Sequence, residues 1–275
     1  MTGHDRTRRR LLGGLGAIGA TAIAASLASI RPPTASPPPS TSTFAPVAPE
    51  TAATMAPPPQ TSPTIAPVAV PDPTTPTTVP ARSFQVICRD AWGARPAGNA
   101  MVAHTLQRLT LHHTAARLDS SADAPARARS HQAFHQGEGF ADLAYHFLVD
   151  ASGNILEGRP IGYAGETFTE YDPAGHFLVC CEGNYDSQEP TDAQLESVAD
   201  LFAWAGQTHS VDPSTLGGHR DYAATSCPGD RLYPLLSEGH LAAMVAERMT
   251  GAIERLDICG PEGAARITGI ESGQA

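Results

Sequence analysis

The chain has 275 residues, with 28 acidic and 18 basic side chains, a formal net charge of −10 at pH 7 and 25 prolines. That length accommodates one or two domains, and the concentration of Pro and Ala toward the front leaves one compact domain. An acidic balance of this size argues against a nucleic-acid binder, whose partner's phosphates demand clustered Lys and Arg.

Residues Thr7 to Gly14 read TRRRLLGG, and Leu11 to Ile30 form an apolar run rich in Gly and Ala. Consecutive arginines ahead of such a run are the layout of a twin-arginine export signal over residues 1–30. Small residues at Ala22 to Ala24 or Ser26 to Ala28 offer a cleavage site, and cleavage is favoured because Gly and Ala make the run only weakly hydrophobic. The alternative is a retained anchor, since about 20 residues suffice for a hydrocarbon core of about 30 Å. Contact with a membrane is therefore expected only in transit, and the mature protein is expected to be secreted or associated with a cell wall. Residues 31–82 are dominated by Pro, Thr, Ser and Ala, with PPP at Pro37 to Pro39 and at Pro57 to Pro59. Such a stretch buries too little apolar surface to offset its ordering entropy, so it reads as a disordered spacer.

A folded domain is expected over 83–255, followed by a tail over 256–275. Strands are predicted near Leu106 to His113, Leu143 to Asp150, Ile155 to Gly158 and His176 to Glu182, with Ser152, Gly153 and Asn154 turning the second into the third. Helices are predicted near Asp123 to Gln136, Asp192 to His209 and Tyr233 to Arg255. The one after Thr191 is clearest: Thr191 caps it, and Leu195, Val198, Ala199, Phe202 and Ala205 recur on one stripe. The fold class is mixed α/β, a central mixed sheet flanked by helices.

Two stretches about a hundred residues apart carry the chemistry. In Leu109 to Ala115 (LTLHHTA), strand alternation puts Leu109, Leu111 and His113 on one face and Thr110, His112 and Thr114 on the other. If the leucine face turns to the core, His112 faces a cleft. In Gly218 to Gly229 (GHRDYAATSCPG), a loop separates His219 from Cys227 by eight positions, short enough to bring both side chains to one ion. Imidazole nitrogen and thiolate sulfur suit zinc, and a site with three protein ligands keeps a position open for chemistry. A lone histidine in a strand or a lone cysteine in a loop would not justify a metal; the joint pattern does.

With these segments the chain resembles the type 2 N-acetylmuramoyl-L-alanine amidases, which share a fold with the peptidoglycan recognition proteins. The matching pieces run in family order: RDAWGARP at Arg89 to Pro96, LHHTA at Leu111 to Ala115, AYHFLVDASGNILEGRP at Ala144 to Pro160, GNYD at Gly183 to Asp186, TDAQLESVADLFAW at Thr191 to Trp204, and GHRDYAATSCPG. The resemblance covers roughly residues 84–245. It implies zinc ligands at His112, His219 and Cys227, a catalytic tyrosine at Tyr145, and a role for Thr225 in orienting the oxyanion or substrate. Phage-type relatives place a Lys at that last position and recognition-protein-type amidases a Thr, so this chain sides with the latter. The implied reaction is zinc-dependent hydrolysis of the amide joining N-acetylmuramic acid to L-alanine in peptidoglycan, acting on muropeptides as a monomer. The alternative is a peptidoglycan-binding protein without catalysis, and members of that kind commonly lack a ligand, often the Cys.

Five cysteines fit an exported protein. With Cys227 as a ligand, Cys88, Cys180, Cys181 and Cys259 remain, and a bridge from Cys88 to Cys259 would tie the start of the domain to its tail. The disulfide that recognition proteins usually carry just after HHTA has no counterpart. His113, His131, His135, His146 and His176 read as packing or groove residues, and Glu166 to Gly175 as a loop beside the groove. Cleavage of the glycan strand is disfavoured because no well-placed pair of acidic residues stands out.

Overall fold

The computed structural model of the protein describes residues 81–274; the expected export signal and nearly all of the spacer lie outside them. Seven strands form one sheet: β1 (Arg82–Ile87), β2 (Arg108–His113), β3 (Phe147–Val149), β4 (Ile155–Glu157), β5 (His176–Cys181), β6 (Gly217–Gly218) and β7 (Ile253–Ile258). Their spatial order is β6-β2-β5-β3-β4-β1-β7. The β3–β4 pair is antiparallel, joined by a turn in which Gly153 has φ +81°. All other pairings are parallel, with helices crossing over between β2 and β3 and between β5 and β6, and a long loop leading from β4 to β5. The helices are α1 (Ala124–Gly137), α2 (Asp192–His209), α3 (Tyr233–Ser237), α4 (His240–Arg248) and α5 (Gly260–Glu271).

Every residue of β5, HFLVCC, is buried. That continuous apolar run is what a central strand covered on both faces requires. On one face Leu109, Leu111, Phe147, Phe177 and Val179 pack against Val198, Phe202 and Ala205 of α2. On the other, Leu148, Leu156 and Cys180 meet Ala128 of α1, Ile267 and Ile270 of α5, and Trp92. The register pairs Leu111 with Val179 and His112 with Cys180, so alternation sends the leucines to the α2 layer and His112 to the opposite side. Helix α2 begins as the sequence indicates, with the Thr191 hydroxyl accepting the Gln194 N–H at 3.1 Å.

The carboxyl-terminal region departs from the sequence reading. The single helix expected over Tyr233 to Arg255 is two helices, broken where Gly239 takes φ +79°, and its last residues belong to β7. The expected tail, 256–275, finishes β7 and forms α5, which buries Ile267 and Ile270. Strand β1, absent from the sequence reading, runs parallel to β7 through six residue pairs, starting at Arg82, the last residue of the expected spacer. The strand predicted from Leu143 holds only at Phe147–Val149. The carbonyls of Asp142 and Leu143 are taken by the buried Arg159 guanidinium at 3.2 and 2.8 Å rather than by a neighbouring strand. Cys88 and Cys259 form a disulfide, with Cα atoms 4.9 Å apart, and Cys180 and Cys181 are free and buried. Among the described residues no helix is long and apolar enough to cross a membrane.

Candidate metal centre

At one end of the sheet the carboxyl end of β2, the turn after β6 and the loop before α3 meet. They bring His112, His219 and Cys227 together, one donor atom from each lying within 4.8 Å of the others. His112 Nδ1 is 3.7 Å from Cys227 Sγ, and the two imidazole rings are 4.7 Å apart. Metal binding by this trio would leave a coordination position open, because no fourth His, Cys, Asp or Glu joins it among the described residues.

Local structure explains why the trio converges. A Cβ on Gly218 would sit 2.8 Å from Pro228 Cδ, so only glycine lets β6 pass this close to the cysteine loop. Asp221 accepts the Gly218 N–H at 2.7 Å and the Tyr233 hydroxyl at 2.5 Å, which fixes the turn that carries His219. On the cysteine side the Arg220 N–H donates to the Cys227 carbonyl at 2.9 Å, and the Cys227 N–H donates to the Thr225 hydroxyl at 3.2 Å. The His113 N–H points at Cys227 Sγ at 3.4 Å, a contact that favours a thiolate.

Electrostatics match a donor set that waits for a cation. Burial holds the His112 imidazole well below its usual range, and burial together with His113 takes His219 down to about 4, so both rings are neutral with a lone pair to offer. Burial pushes the Cys227 thiol up to about 12, against the pull of the His113 N–H and Arg220. Neutral imidazoles are the form that ligates, and a bound cation would offset the burial of the thiolate. His112 Nε2 is buried without a hydrogen-bond partner. The residues present therefore fit a divalent ion of borderline softness.

Tyr145 stands beside the trio, its ring 5.2 Å from that of His112. Burial and the neighbouring Cys180 thiol raise its phenol well above the ordinary range, which keeps it a hydrogen-bond donor at all physiological pH. Thr225 lines the same cleft, of about 220 Å³, with its hydroxyl engaged by the Cys227 amide. A larger hollow of about 490 Å³ adjoins it and shares Glu166, Thr167 and Thr169. His113 reaches the cleft wall, but its Nδ1 accepts the Tyr185 N–H at 3.2 Å. His135 also lines the cleft. His131 faces Glu182 at 3.3 Å, His176 faces the Thr110 hydroxyl at 2.8 Å, and His146 is held by Leu178 N–H and the Tyr163 carbonyl at 2.9 and 3.0 Å. Thr169, whose hydroxyl lies 2.7 Å from His219 Nε2, escaped sequence reasoning. It sits inside the Glu166 to Gly175 loop, and only the folded chain distinguishes it from its neighbours.

Comparison with known proteins places this geometry. The family profile described as N-acetylmuramoyl-L-alanine amidase matches residues 103–230, which span the whole trio. A human N-acetylmuramoyl-L-alanine amidase is 33% identical over 177 residues, 61% of this chain but only 30% of that protein's length. Peptidoglycan-recognition protein SC2 of Drosophila melanogaster is 30% identical over 152 residues, covering 54% of this chain and 82% of that protein. Among solved structures, human PGRP-IBETAC in complex with glycosamyl muramyl pentapeptide superposes with a TM-score of 0.51 at 28% identity, covering 55% of this chain and 94% of that one. With a fold, a residue trio and a sequence match in agreement, the chain belongs to the family of N-acetylmuramoyl-L-alanine amidases and peptidoglycan recognition proteins.

Proposed function

We propose that the protein is a zinc-dependent N-acetylmuramoyl-L-alanine amidase that hydrolyses the amide between N-acetylmuramic acid and L-alanine in peptidoglycan. The observation that carries this reading is the complete His112, His219 and Cys227 set, open on one side and flanked by the Tyr145 phenol. Zinc held by these three would supply Lewis acidity and lower the pKa of water from about 16 to about 7. The two neutral imidazoles and the Cys227 sulfur would hold the ion. Tyr145, protonated, donates to the carbonyl oxygen as negative charge develops on it. Thr225 orders the cysteine loop through the Cys227 amide. Overall the carbonyl–nitrogen bond breaks, the oxygen of water ends in the lactyl carboxyl group, and the L-alanine nitrogen leaves as an amine.

A related solved structure contains a muramyl pentapeptide, which supports a muropeptide as the ligand of this groove. Binding without cleavage is the second reading, favoured by relatives named for recognition, such as protein SC2. Mass spectrometry of muropeptides incubated with the protein separates the two. Release of the intact stem peptide with a new amino terminus at L-alanine supports hydrolysis, and unchanged muropeptide with retained binding refutes it.

Export of the chain as a monomer through its twin-arginine segment completes the proposal. The Cys88–Cys259 disulfide supports an oxidising destination. Fractionation of expressing cells with an Arg8→Lys/Arg9→Lys/Arg10→Lys variant tests it: loss of export is expected, and unaltered export contradicts the route.

A further inference from the structure

We infer that Thr169 is a positioning residue for His219, fixing which imidazole nitrogen faces the metal and so joining the groove loop to the metal centre. This rests on the zinc reading above and goes beyond it, because it concerns what sets the ligand's proton and orientation.

Thr169 Oγ1 lies 2.7 Å from His219 Nε2 and 2.8 Å from Thr167 Oγ1, and the Thr169 N–H donates to Thr167 Oγ1 at 3.1 Å. Each hydroxyl has a single proton, so the chain of bonds runs in one direction at a time. If His219 Nε2–H donates to Thr169, the Thr169 hydroxyl donates to Thr167, and Nδ1 keeps its lone pair free. If the direction reverses, the proton sits on Nδ1, the nitrogen that Thr169 leaves available, and metal binding there is blocked. A metal that takes Nδ1 therefore selects the first arrangement, in which Thr169 Oγ1 accepts the Nε2–H and holds the ring with Nδ1 toward the metal. In that arrangement Thr167 accepts twice, and its own O–H proton is free for the cleft it lines.

The loop is held well enough to enforce this. Glu166 is paired with the buried Arg159 guanidinium and accepts the Ala141 N–H at 2.8 Å. A Cβ on Gly165 would collide with Leu178 Cδ1 and with the Ala144 carbonyl, so the loop leaves the sheet in close contact with it. Beyond Thr169 the Tyr171 ring packs 5.0 Å from that of His219. Between the two threonines, Phe168 is 60% exposed and stacks on Phe140 at 4.4 Å at the mouth of the cleft. One short segment thus faces incoming ligand through Phe168 and holds the histidine through Thr169.

The test uses Thr169→Val, which keeps the shape and removes the hydroxyl, with Thr169→Ser as the restoring variant. Zinc affinity is read by chelator competition on the folded proteins, each shown to be folded by its thermal transition. Thr169→Val should bind zinc about 10- to 100-fold more weakly, with Thr169→Ser within about threefold of the parent, as a conservative swap implies. Nitrogen-15 NMR of the metal-free chain at pH 7 should show His219 as the Nε2–H tautomer in the parent and in Thr169→Ser, and as a mixture in Thr169→Val. Equal zinc affinity and an unchanged tautomer in Thr169→Val would overturn the inference. A parent chain that shows the expected tautomer dependence yet cleaves no muropeptide would leave this inference standing and remove the amidase reading instead.

Discussion

Removing the Cys88–Cys259 bridge by the double substitution Cys88→Ala/Cys259→Ala tests how firmly the carboxyl-terminal segment belongs to the domain. The bridge closes a loop with a sequence separation of 171 residues. In the chain-entropy description a loop of that length constrains the unfolded state by about 5 kcal/mol, and native disulfides typically contribute about 2–5. The bridged segments are otherwise joined by six β1–β7 residue pairs and by Ile267 and Ile270 packing near Trp92, so the native fold should survive. At about 2–4 °C per kcal/mol for a domain of this size, the thermal midpoint should fall by about 5–20 °C. Differential scanning calorimetry of the double variant, and of the parent with and without reductant, reads the shift directly. Muropeptide cleavage at 25 °C should persist, since the bridge is remote from the cleft. A shift below about 2 °C, well under that span, would refute the entropic reasoning, and loss of cleavage by a folded variant would refute the separation of bridge and site.

Tyr145→Phe should lower kcat about 100- to 1000-fold while leaving zinc content unchanged, as expected for loss of one donor to a developing oxyanion; steady-state kinetics with a muropeptide that keep kcat within fivefold of the parent would contradict that role. Gly218→Ala places a methyl group 2.8 Å from Pro228 Cδ, and the resulting strain should cost about 1–3 kcal/mol in urea unfolding and weaken zinc binding as His219 shifts. An unperturbed variant would show the close approach to be dispensable. His146 is fully buried and neutral, its basicity lowered to about 3 by burial, whereas the unfolded chain titrates near 6.5. Because the unfolded state binds the extra proton between those values, stability should fall as pH drops from about 6.5 toward 3, with a slope of up to about 1.4 kcal/mol per pH unit from this one side chain. A urea midpoint independent of pH from 7 to 4 would contradict it.

The sequence made β2, β5 and α2 legible for physical reasons that survive folding. Alternation in LTLHHTA sets which way His112 points, the unbroken HFLVCC run demands a strand covered on both sides, and Thr191 marks a helix start. The edge of the domain was harder to read. Strand β7, IERLDI, alternates weakly because much of it is solvent-facing, and its helix-compatible residues let the expected helix run on past Arg248, where α4 ends. Strand β1 gains its identity from pairing with β4 on one side and β7 on the other, contacts distant in sequence. At the site the histidine and cysteine chemistry could be read from residue type and order, whereas Thr169 could not. Its place beside His219 depends on a contact across 50 positions, made by a loop with no periodicity.

The most direct measurement is the zinc content of the purified chain and of its Cys227→Ala variant, by elemental analysis after exhaustive dialysis. The parent should hold one zinc per chain, and the variant, folded by its thermal transition, should hold almost none. A metal-free parent, or a variant that retains a full equivalent of zinc, would contradict the claim that His112, His219 and Cys227 form the metal centre on which hydrolysis depends.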